Sequence, residues 1–111
     1  MNVEFLNKGT ALVIKIKGEL DHHTAEDVRQ KIDNEIMKSV AKNVVFDFSE
    51  VSFMDSSGIG VIMGRYKNLK QLRGKVSLVN LKPQLKKIFD MSGVFKYVPV
   101  YESIHEAINA M

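Results

Sequence analysis

Cysteine is absent from the 111 residues, which removes a disulfide scaffold, a thiol nucleophile and cysteine-ligated zinc together. No run of about 18 apolar residues occurs, so no segment reads as a membrane-spanning helix. The opening residues carry an acid at Glu4 and no long apolar stretch, unlike a secretory signal. Also missing are a Pro/Gly/Ser-rich linker, an internal repeat and a low-complexity tract. Residues 1–111 therefore read as a single domain, within the usual size of about 100–200 residues. Hydrophobic residues make up 45% and charged ones 26%, which argues against wholesale disorder. A chain of this size buries about two-thirds of its unfolded surface, enough for one core. The expected compartment is cytoplasmic.

Acids are scarce in the second half. Residues 1–55 hold seven bases and ten acids, and residues 56–111 hold nine bases and three acids. Eight of those bases, from Arg65 to Lys87, precede Asp90. Such a stretch suits nucleic acid, an acidic protein surface or simply a solvated face of helix and loop. No recognition-helix signature or aromatic stacking platform accompanies it, so no direct nucleic-acid partner is expected.

Periodicity alternates between strand and helix. Val3 and Phe5 open a strand, Asn7-Lys8-Gly9 reads as a turn, and Leu12, Ile14 and Ile16 alternate with Val13, Lys15 and Lys17. From Thr24 the spacing of Ala25, Val28, Ile32 and Ile36 predicts an amphipathic helix with acids in its first turn. Val44–Phe48 is nearly continuous in apolar residues, as a strand buried on both faces should be. A second helix fits Ile59, Ile62, Tyr66, Leu69 and Leu72, ended by Gly74. Val76–Val79 predicts a strand, and Pro83 the start of a third helix with Leu85, Ile88 and Phe89 inward. Tyr97–Val100 predicts an edge strand, and Ile104, Ala107 and Ile108 a closing helix. The order β-β-α-β-α-β-α-β-α is an α/β fold: a small, mainly parallel mixed sheet covered by about four helices, its first strand antiparallel.

Asp55-Ser56-Ser57-Gly58-Ile59-Gly60 is the most unusual segment. With Asp55 as N-cap, Met54 and Ile59 take the two ends of a hydrophobic staple, and both serines fall in the first turn. Glycines 58, 60 and 64 each cost a helix about 1 kcal/mol relative to alanine, so another demand overrides propensity. Gly60 and Gly64 share a face and suit close packing on the sheet, while Gly58 suits approach by another molecule beside Ser57. The free amides of such a helix start suit a phosphate, although the glycine spacing does not fit a dinucleotide loop. The nucleophile pattern Gly-x-Ser-x-Gly is absent, so a hydrolase serine is disfavoured. A plain structural cap, and a serine that receives phosphate from another protein's ATP, remain open. Gly18-Glu19-Leu20-Asp21-His22-His23 leads into the first helix. Adjacent histidines without a third ligand at suitable spacing do not make a metal site. In a parallel sheet this loop and the Ser57 segment share one edge, so Asp21 and Ser57 are expected near each other. Asp21 is expected to be an exposed carboxylate that contributes little to stability.

The run FMDSSGIGVIMGRYKNLK, with GELDHHTAEDV and FDMSGVFKY, resembles the anti-sigma-factor antagonists of the STAS-domain family, above all their sporulation members. The resemblance extends from about Val3 to Tyr101 and implies a single STAS domain. It implies a partner-switching role, in which the unphosphorylated form binds an anti-sigma factor that is also a serine kinase with bound nucleotide and so frees a sporulation sigma factor. Ser57, just before the first glycine of the motif, is implied as the phosphorylation site, and a separate serine phosphatase reverses the modification. Asp21, Asp55, Ser56, Ser57, Gly58 and Ile59 are the implied partner-binding residues. The chain is then a monomer when free, with no catalytic residues and no cofactor of its own. The alternative from the residues themselves is a small phosphate- or nucleotide-binding domain with an enzymatic role.

Overall fold

The computed structural model describes residues 2–111. A hairpin comes first: β1 (Val3–Lys8) pairs antiparallel with β2 (Ala11–Leu20). Asn7 and Lys8 stay in the ladder, so the turn is Gly9-Thr10, with Gly9 at φ 60°. After it come α1 (Ala25–Lys38), β3 (Asn43–Met54), α2 (Ser56–Gln71), β4 (Val76–Val79), α3 (Pro83–Ser92), β5 (Val100–Tyr101) and α4 (Ile104–Asn109). The strands lie in the order β1-β2-β3-β4-β5, and every pairing after the hairpin is parallel. In a sheet wound in sequence order, crossovers of one hand put the connecting helices on one face. Accordingly Val28 and Ile32 of α1, Ile62 and Leu69 of α2, and Leu85 and Phe89 of α3 share one core with Leu12, Ile14, Val44, Phe46 and Phe48. Across the sheet, Ala107 of α4 packs with Ala11, Val13, Val45 and Val79. Strand β3 is thus covered on both faces, as its apolar run predicts. Its Asp47 carboxylate is buried and accepts from the Ser49 amide and the Asn80 side chain.

Beside the position of that first turn, four sequence expectations need correction. Strand β3 does not stop at Phe48 but runs on to Met54. It pairs with β2 as far as Leu20, whereas β4 ends level with Asp47. A two-stranded ribbon therefore projects past the rest of the sheet and carries the site at its tip. Second, Tyr97 and Val98 lie outside β5; Val94–Lys96 form a short 3-10 turn and Val98 is a buried anchor. Third, Leu72 lies just past α2 and is 54% exposed, while Gly74 is fixed by close approach of the Lys42 backbone. Fourth, Arg65 is no part of a solvated basic face. It is buried between helices, with Nε 2.8 Å from Asp33 Oδ1.

Candidate functional site

The ribbon tip turns directly into α2. Asp55 is extended (φ −116°, ψ −170°), and its Oδ1 accepts the Ser57 amide at 2.8 Å, the geometry of an N-cap. Its Oδ2 accepts the His22 amide at 3.2 Å and lies 3.5 Å from His22 Nδ1. The Asp55 amide in turn donates to the Leu20 carbonyl at 3.3 Å. One carboxylate therefore caps α2 and holds the loop after β2 against it. Partial burial pushes the Asp55 carboxyl up, but hydrogen bonds from the Ser57 and His22 amides, the His22 ring and the Gly58 amide outweigh it and hold the group below the usual value.

Asp21 shapes the other loop. Its Oδ1 accepts the amides of His23 at 2.9 Å and Thr24 at 3.1 Å, and its carbonyl accepts the Ala25 amide at 2.8 Å. Thr24 Oγ1 donates to the Glu19 carbonyl at 3.0 Å. Asp21 is therefore half-buried and organises the start of α1, more than a loose loop carboxylate would. The two loops do share one edge of the sheet, joined through His22 and Asp55.

Within the DSSGIG segment the residues divide by direction. Ser56 is exposed and Ser57 half-buried, and neither Oγ has a hydrogen-bond partner among the described residues. Gly58 is buried rather than open to another molecule: an added Cβ would collide with the Met54 side chain and stand 2.9 Å from the Leu20 carbonyl oxygen. Ile59 is half-buried against the same core as Met54. Gly60 and Gly64 do not serve packing on the sheet, because an added Cβ at either would meet nothing within 4 Å. With Ser56 they leave one side of α2 low and open. The expected free amides are mostly spent, since Ser57 donates to Asp55 Oδ1 and Gly58 to the Asp55 carbonyl at 3.0 Å. That occupancy leaves a poor cradle for a bound phosphate. His22 and His23 lie ring to ring at 3.9 Å. Sequence reasoning missed His22 as the tether between loops; its only signal was a polar residue at a strand end facing a carboxylate 33 positions away. The arrangement presents a hydroxyl on a rigid platform, with the His22 imidazole turned to Asp55.

Residues 2–107 match the STAS domain family. The chain is 35% identical over 111 residues to an anti-sigma F factor antagonist of Paenibacillus polymyxa, covering all of this chain and 95% of that one. Its fold is similar to the anti-sigma factor antagonist SpoIIAA in its unphosphorylated form (TM-score 0.74, 32% identity, 97% and 96% of the two chains). It is equally similar to the Bacillus cell fate determinant SpoIIAA in the phosphorylated form (TM-score 0.73, 33% identity, 97% of each chain).

Proposed function

Because this chain belongs to the STAS domain family, with whole-length relatives among the anti-sigma factor antagonists, we propose that it is a phosphorylation-controlled antagonist of an anti-sigma factor. Unphosphorylated, it docks an anti-sigma factor that is also a serine kinase with bound nucleotide, and a sporulation sigma factor is released. The kinase moves the γ-phosphoryl of ATP onto Ser57 Oγ, leaving ADP and the hydroxyl proton, and a serine phosphatase removes it by hydrolysis. The chain is the substrate and binding module in this cycle, and the cytoplasm is where it works.

One observation carries the reading: an unpartnered Ser57 hydroxyl stands on a helix start fixed by Asp55 and His22, beside a helix side that Gly60 and Gly64 keep open. Two glycines that serve no internal contact cost α2 about 2 kcal/mol in propensity, which an approaching partner surface explains. On this surface Ser56 and Ser57 contact the partner. Asp55, Gly58 and Ile59 hold the helix start in position, and Asp21 presents the neighbouring loop. Phosphate adds about −1.5 to −2 charge there and opposes any acidic or nucleotide-bearing partner by like-charge repulsion. The test is incubation with the cognate kinase and ATP, followed by fragment mass spectrometry. Phosphate on Ser57, lost in Ser57→Ala, is expected; phosphate on Ser56 alone, or none, overturns the assignment.

A further inference from the structure

The sequence places no aromatic cluster beside its basic stretch, yet the fold builds one from distant residues. Tyr66 of α2, Tyr97 and Tyr101 line a single cleft of about 290 Å³ near the start of β4, with Lys70 and Lys75 in its wall. These are all the tyrosines of the chain. None of their hydroxyls has a hydrogen-bond partner among the described residues, and Tyr97 is 59% exposed. Lys70 Nζ lies 5.8 Å from the Tyr66 ring. No acidic side chain lines the cleft. Exposed Lys67, Arg73 and Lys96 adjoin it in sequence against a single exposed acid, Glu102, so the surround is predominantly basic. Tyr66 is nine positions along α2 from Ser57, about 14 Å at 1.5 Å per residue, so the cleft is separate from the serine site.

We propose that this cleft is a second docking surface, which takes an acidic segment of a partner protein anchored by one large apolar side chain. Charge complementarity selects an anionic partner. The ring geometry selects a side chain rather than a nucleobase: Tyr66 and Tyr97 are 6.2 Å apart but tilted by 44°, so they do not form the parallel slot that would sandwich a base. Tyrosine walls with free hydroxyls suit an interface anchor, giving contact area and a polar handle at low entropic cost.

The chain has no tryptophan and keeps every tyrosine in this cleft, so intrinsic fluorescence reads the cleft alone. The probe is a capped synthetic pentapeptide with phenylalanine between two pairs of glutamates, titrated into the full chain. A saturable change in tyrosine emission is expected, weakening several-fold as salt is raised. Binding should fall about tenfold or more in Lys70→Glu/Lys75→Glu, whose exposed positions leave the fold intact by circular dichroism. It should be unchanged in Ser57→Ala, which separates this surface from the phosphorylation switch. An equal response to a peptide with serine in place of phenylalanine, tighter binding of a thymidine oligonucleotide, or no response would overturn the proposal.

Discussion

Gly58 and Gly60 stand two positions apart on α2 and meet different surroundings. A methyl at position 58 collides with Met54 and the Leu20 carbonyl, whereas at position 60 it enters open space. Gly58→Ala is therefore expected to cost about 1–3 kcal/mol as overpacking. Gly60→Ala should stabilise the isolated domain by up to about 1 kcal/mol, yet weaken partner binding by raising the helix surface. Thermal melts and titration with the anti-sigma factor read the two effects separately; equal stability changes would refute the division. Asp21 needs a similar separation. Its Oδ1 holds two loop amides, so Asp21→Ala should lose about 1 kcal/mol, as caps do. Asp21→Asn keeps an acceptor and removes the charge, and should melt near the parent while binding the partner less well. If Asp21→Asn binds as the parent does, Asp21 is structural alone. The motif residues were legible in the sequence because caps and glycines leave local marks. Which way each glycine faced was not, because it depends on the Leu20 carbonyl arriving from β2 and on how the Met54 side chain folds back under α2.

At the scale of elements, the tie between the β2–α1 loop and the start of α2 is the feature that positions the serine. Asp55 titrates below its usual value because the folded loops donate hydrogen bonds to its charged form. The linkage sign follows: its stabilising contribution is full above the ordinary carboxylate value of about 3.9 and is lost as pH falls through the depressed folded value. The Ser57 and His22 amide resonances should move together on that acid limb, and Asp55→Ala should abolish the shared step and lower the melting midpoint. Independent movement of the two amides would show that no common tether exists. Most element types were readable from period, since apolar spacing survives in the burial of Val28, Ile32, Ile62, Leu69 and Phe89. Lost to sequence reasoning was the length of β3. Its last residues, Ser49–Met54, are stabilised by β2 across the ladder rather than by an apolar run of their own. Arg65 misleads for a related reason: its neutralising partner, Asp33, comes from another helix.

For the whole molecule, the question is whether phosphate acts through charge or through shape. A dianion in the first turn of α2 gains about 0.3–1 kcal/mol from the helix dipole, and screened repulsion from Asp55 opposes it. Neither approaches the roughly 5–15 kcal/mol that holds a domain together. Phosphorylated Ser57 should thus shift the melting midpoint by only a few degrees, at about 4–8 °C per kcal/mol for a domain near this size. Amide shifts should cluster around residues 54–62 and the Asp21 loop; changes through α3 and α4 would indicate refolding instead. The most direct measurement is calorimetric titration of the anti-sigma factor, with nucleotide bound, against the unphosphorylated chain and against the chain bearing phosphoserine at position 57. A switch by repulsion requires a loss of about 100-fold or more, equivalent to about 2.8 kcal/mol. Equal affinity of the two forms would contradict it.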